Sequence, residues 1–235
     1  MIRFTVFGVP VEIQPWFWIT AALLGGATHV QTRDQLLGVL VFMVVATLSI
    51  LVHEFGHALT GRKLGGGAAH IVLWALGGLA YNQGGRFTRW QRFWMIFMGP
   101  GAGFLLLALV VAVLCASVGL RDGLSLASGA AFHTKLTPGA YDFYLHSATR
   151  WEVIYAFVWI NFWWGAINLL PILPLDGGQI ADLWVRPQRR MFLLSAITGT
   201  AMAMFGLSRG SLYIAILFGF LAYRSFKDYQ SGGWR

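Results

Sequence analysis

Residues 36–59 read LLGVLVFMVVATLSILVHEFGHAL, and this stretch decides the fold. Residues 36–52 carry no charge, and a membrane-spanning helix needs about 20 mainly apolar residues. The run therefore predicts a transmembrane helix. Its last third holds three ionisable side chains, those of His53, Glu54 and His57. Because such groups are costly inside a bilayer, their presence at this place predicts a functional site.

The composition of the whole chain fits a polytopic membrane protein. Of its 235 residues, 57% are hydrophobic and 11% are charged, against about 25% charged in an ordinary soluble domain. The formal net charge of +8 would suggest nucleic-acid binding in a soluble protein. Here the basic residues lie mostly between apolar runs. Orientation in the lipid bilayer explains them, and no nucleic-acid partner is expected.

Six apolar segments follow one another along the chain. They cover residues 15–30, 36–59, 93–120, 151–173, 191–207 and 212–226. The second, third and fourth are long enough to span a bilayer securely, whereas the first, fifth and sixth are short. The sequence therefore predicts an all-α polytopic membrane protein with about six transmembrane helices, folded as a single domain over residues 1–235.

The placement of basic residues predicts the orientation of these segments. With a cytoplasmic N-terminus, the inner connections and termini carry 12 Lys and Arg residues and the outer connections carry 5. Because basic residues favour the cytoplasmic side, both termini are expected to be cytoplasmic. The same orientation places the ends of the second and fourth segments at the cytoplasmic face.

Three connecting regions have their own character. Residues 1–14 alternate in polarity around residues 8–10, which predicts a small β-hairpin at the membrane surface. Residues 65–82 are apolar but too short to span, and are expected to form a re-entrant or interfacial hairpin. Residues 121–150 contain several polar residues and are predicted to form the largest soluble loop, on the extracytoplasmic side.

His53-Glu54-Phe55-Gly56-His57 has the H-E-x-x-H spacing of zinc hydrolases. Residues i and i+4 share one face of a helix, so His53 and His57 can bind one zinc ion. Glu54 lies one step round the helix, where it can act as the general acid/base without ligating. A polar helix end that reaches the interface is the alternative, but it does not explain the ligand spacing.

A catalytic zinc ion usually has three protein ligands, and Asp176 is the best candidate for the third. It lies in the stretch NLLPILPLDGG, residues 168–178, at the end of the fourth segment. Pro171 and Pro174 disfavour helical geometry in the residues before them, and the two glycines after Asp176 are expected to free the backbone. The fourth segment should therefore unwind near the depth of the histidines.

As a pair, the HEFGH and NLLPILPLDGG motifs resemble the site-2 protease family of intramembrane zinc metalloproteases. The resemblance is to its compact prokaryotic members without PDZ or CBS domains. Residues 7–11 (FGVPV) and 77–80 (GGLA) are similar to the family's two hairpins, and residues 98–103 (MGPGAG) to its Gly-Pro turn on the third helix. This last motif departs from the family at Gly103, where Asn is frequent.

The resemblance implies an intramembrane endopeptidase with one zinc ion per chain, in the prokaryotic cytoplasmic membrane. Its substrates would be membrane-anchored proteins cut in or near a transmembrane segment, in regulated intramembrane proteolysis. Asn168 would contact the substrate backbone, with an interhelical hydrogen bond as the alternative. The hairpin around Gly77 and Gly78 would bind an unwound substrate segment by strand addition.

Two other functions fit parts of the pattern. A prenyl-protein endopeptidase also uses H-E-x-x-H but places a glutamate ligand downstream. The one downstream glutamate of this sequence, Glu152, is expected at the opposite face of the membrane. A catalytically inactive homologue could act as a membrane chaperone or binding protein. The intact Glu54 argues against this second alternative, because a binding protein needs no general base.

Overall fold

The computed structural model describes residues 1–146 and 148–231, most of which are helical. The helices are α1 (Pro15–Leu24), α2 (Arg33–Lys63), α3 (Arg89–Val118), α4 (Leu120–Phe132), α5 (Pro138–His146), α6 (Ala148–Asn168), α7 (Asp176–Asp182), α8 (Gln188–Ser208) and α9 (Leu212–Gln230). The strands are β1 (Ile2–Val6), β2 (Val9–Ile13), β3 (Ala69–Trp74) and β4 (Gly77–Asn82).

The two longest helices begin at matching caps. At the start of α2, Thr32 accepts a hydrogen bond from the Gln35 N–H, and the Gln35 side chain accepts one from the Thr32 N–H. Thr88 and Gln91 repeat this arrangement at the start of α3. Such capping boxes satisfy N–H groups that a helix leaves free. α2 and α3 then pack against each other and against α6, and the three helices form the centre of the bundle.

Within the described residues, three helices are long and apolar enough to cross a membrane, namely α2, α3 and α8. The chain is therefore an integral membrane protein. The fifth segment, which is short in the sequence, forms the 21-residue α8. The fourth segment was expected to be a secure span and forms the 21-residue α6, but is not among the three. Its tryptophans and asparagines make it less apolar.

The strands form one four-stranded sheet in the order β1-β2-β3-β4. Both hairpins expected from the sequence are present and antiparallel. The new feature is a parallel pairing of β2 with β3, in which Val11 is opposite Ile71 and Ile13 is opposite Leu73. These four side chains are at most 4% exposed and belong to the core shared with α1 and α2. Because β2 precedes α1 and β3 follows α2, the chain returns to the same end of the bundle.

Residues 121–150 were expected to form a soluble loop on the extracytoplasmic side, but the described part of this region is mostly helical. Its side of the membrane stays a prediction. α4 and α5 occupy most of it, and α4 packs against α3 and α6. Gly123, Leu126 and Ala130 form a buried stripe along α4. Their spacing of three and four residues is that of a helix face. The packing of this stripe outweighs the polar residues on which the loop prediction rested.

The end of the fourth segment unwinds as predicted. α6 ends at Asn168 and α7 begins at Asp176, which leaves a non-helical connection over residues 169–175. α8 and α9 pack along each other. The connection meets this helix pair through Ile172, which is fully buried in one cluster with Phe218 and Leu221 of α9.

Candidate metal centre

Three side chains from two elements converge inside the bundle. His53 and His57 belong to α2, and Asp176 is the first residue of α7. The Nε2 atoms of the histidines are 3.2 Å apart. The Oδ2 atom of Asp176 lies 3.1 Å from Nε2 of His53 and 3.4 Å from Nε2 of His57. Among the described residues, no other group of three His, Cys, Asp or Glu side chains brings its ligand atoms this close.

The spacing of these atoms fits a tetrahedral zinc ion. Zinc binds histidine nitrogen and carboxylate oxygen at about 2.0–2.2 Å, so two such ligand atoms lie about 3.3–3.6 Å apart in a tetrahedron. The Oδ2 atom of Asp176 is buried and forms no hydrogen bond of good geometry within residues 1–146 and 148–231. A bound cation would satisfy this oxygen, so the residues fit the ion.

Asp176 is held in the ionised form that a metal ligand needs. Burial opposes the negative charge, but the contacts of the carboxylate with His53 and His57 outweigh burial and lower the pKa of Asp176 to about 2. The carboxylate is therefore negatively charged throughout the physiological pH range.

The orientation of His57 is fixed from α3. Its Nδ1 atom lies 2.9 Å from the carbonyl oxygen of Met95 and donates a hydrogen bond to it. This contact leaves the lone pair of Nε2 directed toward His53 and Asp176. A carbonyl acceptor on the second ring nitrogen is typical of histidines that bind metals. The sequence motif gave no indication of Met95, because the contact depends on how α2 and α3 cross.

Two glycines allow this crossing. A Cβ atom at Gly56 would overlap the carbonyl of Met98, and a Cβ atom at Gly99 would overlap the ring of His57. α2 and α3 therefore touch backbone to backbone beside the metal centre. Gly56 occupies a variable position of the H-E-x-x-H pattern, so only the structure explains why this chain needs glycine there.

Glu54 lies beside the three ligand candidates and is 4% exposed. The edge of the sheet covers it on one side, since a Cβ atom at Gly78 would overlap the Glu54 side chain. At Gly77 a Cβ atom would lie 2.7 Å from the ring of Trp164 on α6. The two glycines let β4 approach both Glu54 and α6, so the tip of the second hairpin forms a wall of the site.

Asn168, the last residue of α6, is 9% exposed. Its Nδ2 atom donates to the carbonyl of Trp164 one turn earlier, at 2.9 Å, and not to another helix. The interhelical hydrogen bond comes from Asn161, whose Nδ2 atom donates to Oγ of Ser49 on α2 at 2.8 Å. No motif in the sequence indicated Asn161. A Cβ atom at Gly103 would lie 3.6 Å from Oδ1 of Asn161. The side-chain amide of Asn161, on α6, thus lies beside Gly103, the position where Asn is frequent in the family that the sequence resembles.

The glycines after Asp176 have a different role from the one expected. Gly177 and Gly178 lie in α7 and are not among the residues with positive φ. A Cβ atom at Gly177 would overlap the carbonyl of Leu169, and one at Gly178 would overlap that of Ile172. They allow close packing of α7 on the connection before it, and the expected gain in backbone freedom is not their function.

A cavity of about 630 Å³ opens at the other end of α2. Glu152 borders it, and a Cβ atom at Gly38 would lie 3.8 Å from the Glu152 carboxylate. Gly38 precedes His53 by 15 residues, or roughly 22 Å along a helix. Glu152 is therefore too far away to be a ligand, which removes the alternative that needs a downstream glutamate.

Fold and site together define a class, the membrane proteins in which an H-E-x-x-H helix meets a carboxylate that could complete a metal site. Residues 41–207 match the sequence profile of Peptidase family M50. The chain belongs to this family.

Two relatives that are named as putative zinc metalloproteases are similar to this chain. The putative zinc metalloprotease Rip3 of Mycobacterium tuberculosis is 28% identical over 188 residues, covering 79% of this chain and 36% of that protein. The putative zinc metalloprotease sll0528 of Synechocystis sp. is 26% identical over 223 residues, covering 89% of this chain and 52% of that protein. The chain thus spans about a third to a half of the length of these curated relatives.

A solved structure shares the fold. The site-2 protease from Methanocaldococcus jannaschii superposes on this chain with a TM-score of 0.56 at 19% sequence identity. The superposition covers 97% of this chain and 94% of the other. The likeness over nearly the whole of both chains supports the all-helical membrane architecture with its small sheet.

Proposed function

We propose that this chain is an intramembrane zinc endopeptidase that cuts membrane-anchored proteins in or near their transmembrane segments, in regulated intramembrane proteolysis. The observation that carries the proposal is the buried triad of His53, His57 and Asp176 with Glu54 beside it. In this proposal the triad binds one zinc ion and residues 1–235 act as one protease domain. The names of the relatives, which specify zinc metalloproteases, support it.

The roles of the side chains follow from their positions. When bound, zinc supplies a Lewis acid that activates water and polarises a carbonyl group. Glu54 takes the proton from the attacking water and delivers it to the leaving amine. His57, held by the Met95 carbonyl, keeps its Nε2 lone pair on the metal side. Burial of these groups excludes bulk water, which strengthens each electrostatic contact.

The depth of the site supports a substrate that lies in the membrane. His57 precedes the end of α2 by six residues, and Met95 follows the start of α3 by six residues. At 1.5 Å per residue the site lies about 9 Å inside the helix ends. A peptide bond must therefore enter the bundle before it meets Glu54, and transmembrane segments are the peptides that reach this depth.

The free edge of the sheet offers a place to hold an unwound segment. Leu73 uses its carbonyl to accept from the Gln14 N–H, on the β2 side of β3. Leu73 and Gly78 are therefore a non-hydrogen-bonded pair of the β3–β4 ladder. By the alternation of the ladder, the backbone groups of Gly78 and Ala80 face the free edge, and Gly78 adjoins Glu54. We infer that a substrate strand pairs with this edge.

Ala80→Pro tests the strand pairing. Proline removes an N–H group that faces the free edge and leaves the β3–β4 ladder intact, which edge strands tolerate. Because the Ala80 N–H also lies within reach of the Glu54 carboxylate, the loss should appear as a higher KM and not as a lower kcat. Cleavage of the substrate should fall at least tenfold while zinc content stays at the wild-type level. Ala80→Val is the matched control, because it keeps the N–H group. Equal cleavage by the proline and valine variants would disprove strand addition at this edge.

Asn168 remains our candidate for a contact with the substrate backbone. It ends α6 close to the connection that carries Asp176. Its Oδ1 atom accepts no hydrogen bond within the described residues, while its Nδ2 atom is engaged with Trp164. The free oxygen can therefore accept a bond from a substrate N–H group.

The orientation of the chain belongs to the proposal. With both termini in the cytoplasm of a prokaryotic cell, the sheet, α7 and the metal centre lie at the cytoplasmic end. The parallel pairing of β2 with β3 supports this arrangement, because it brings the first and second hairpins to one side. The bias of 12 basic residues against 5 gives the direction.

Glu54→Gln tests the chemistry. We expect it to keep zinc and to lower cleavage about 10²–10⁴-fold, the usual contribution of a general acid/base. The measurement compares the membrane proteomes of cells that express the wild type and the variant, in which uncut membrane-anchored proteins should accumulate. Asp176→Asn is the companion variant and should lose zinc as well as cleavage. Identical proteomes for wild type and Glu54→Gln, with zinc bound in both, would instead favour an inactive binding protein.

A further inference from the structure

The backbone N–H groups of the connection over residues 169–175 form one hydrogen bond to the helix pair α8 and α9. Proline at 171 and 174 removes two backbone donors, so five N–H groups remain. Four of them donate to carbonyls between Gly165 and Ile172, within the connection itself or the last turn of α6. The fifth, the N–H of Leu173, donates to Oγ of Ser195 on α8 at 2.9 Å. All residues of the connection lie in the described part of the chain.

Ser195 is itself held in place. It is fully buried, and its Oγ atom lies 2.7 Å from Oγ of Ser225 on α9, which is 2% exposed. One hydroxyl donates to the other, so the pair links α8 to α9. The connection, α8 and α9 thus meet at one buried polar point. The connection and α9 also meet in the apolar cluster of Ile172, Phe218 and Leu221.

A shift of the connection reaches Asp176 directly. Leu173 precedes Asp176 by three residues. The first turn of α7 rests on the connection backbone to backbone, because Gly177 and Gly178 face the carbonyls of Leu169 and Ile172. The Gln179 side chain of α7 also donates to the Pro174 carbonyl, at 3.0 Å. Close-packed backbones of this kind move together.

We propose that Ser195 is a positioning residue for Asp176. It fixes the Leu173 backbone, and Ser225 holds Ser195 in place. The pair thereby sets the distance of the Asp176 carboxylate from the two histidines. The inference rests on the proposed zinc site, and it adds that the geometry of this site depends on α8 and α9, which supply no ligand.

The test measures metal binding in the full-length chain in detergent, without any substrate. Ser195→Ala removes the acceptor of the Leu173 N–H. Loss of a partner that orients a ligand typically lowers metal affinity about 10–100-fold, so we expect a weakening of that size in competition with a chelator. Cobalt in place of zinc gives a second readout, because its visible spectrum reports ligand geometry. We expect this spectrum to change in Ser195→Ala.

Thr200→Val is the matched control. Thr200 lies on the same helix and donates to the carbonyl of Ala196 within α8, at 2.8 Å. The substitution removes a hydroxyl that forms no hydrogen bond to the connection within the described residues. Affinity and cobalt spectrum should match those of the wild type.

The possible outcomes separate the two proposals. If Ser195→Ala only lowers the unfolding temperature and leaves zinc affinity and cobalt spectrum unchanged, Ser195 is merely structural and the inference is overturned. If Ser195→Ala does not fold, Ser225→Ala decides, since it keeps the Leu173 bond but removes its support. A smaller spectral change in the same direction supports the inference, and an unchanged spectrum overturns it. A wild-type chain that binds neither metal would overturn the zinc site itself.

Discussion

The imidazole ring of His57 lies against the backbone at Gly99, and its Nδ1 atom is hydrogen-bonded to the Met95 carbonyl. Such close contacts leave little tolerance at the metal centre. One added methyl group in a packed interior costs about 1–3 kcal/mol when neighbours cannot move. Here the neighbour is a ligand candidate whose ring is held from both sides.

Gly99→Ala should therefore weaken zinc binding and cleavage together, by at least tenfold each, because the new Cβ displaces the His57 ring. Gly101→Ala is its control on the same turn of α3, where a Cβ would lie 3.6 Å from its nearest neighbour, Sδ of Met98. Zinc content by metal analysis and cleavage of one substrate are the measurements. Equal loss in both variants would mean that helix α3 is generally sensitive and that His57 is not specifically displaced.

At the residue scale, the sequence predicts which side chains form the candidate metal centre. It does not predict which groups surround them. The i, i+4 spacing singled out His53 and His57, and the structure brings them together with Asp176. Their roles as ligands stay predictions. Met95 and Asn161 act through a carbonyl and an interhelical bond, and both contacts depend on how the helices cross. Crossing geometry follows from the packing of whole helix surfaces, which a local motif does not encode.

For the helices and strands too, the sequence predicts what depends on local signals and misses what depends on contacts between distant residues. Each hairpin could be predicted because alternation and turn residues are local signals. The parallel pairing of β2 with β3 joins residues 60 positions apart, such as Val11 and Ile71, and no local signal announces it. For α4, scattered polar residues suggested a loop, while the buried stripe that makes it a helix became evident only in contact with α3 and α6.

Leu126→Ala tests whether α4 is a packed element. Leu126 is fully buried, and truncating such a side chain costs about 2–5 kcal/mol. Leu124 on the same helix is 50% exposed, so Leu124→Ala should cost far less. Thermal unfolding of the detergent-solubilised chain gives the comparison. Equal unfolding temperatures for the two variants would mean that α4 does not pack against the rest of the bundle.

The whole molecule has two chemically different ends. The sheet, α7 and the metal centre occupy one end, and the cavity beside Glu152 lies at the other. Basic residues concentrate in the connections of the first end, which our proposal places in the cytoplasm.

Cysteine labelling checks this orientation. Cys115 is the one cysteine of the sequence, so Cys115→Ala gives a clean background. Asp142→Cys on α5 should react with a membrane-impermeant maleimide in right-side-out vesicles, and Gln230→Cys on α9 should react only in inside-out vesicles. Both positions are exposed, and both should react in detergent. The reverse pattern would invert the proposed topology.

The separation of the ligand candidates along the chain has a consequence for biosynthesis. Asp176 follows His57 by 119 residues. At about 5–20 residues per second, the ribosome needs roughly 6–24 s to reach it after α2 has been made. During that interval the newborn chain holds two imidazoles and a glutamate but no complete centre. In our proposal, a chain that terminates before residue 176 therefore carries no complete zinc site.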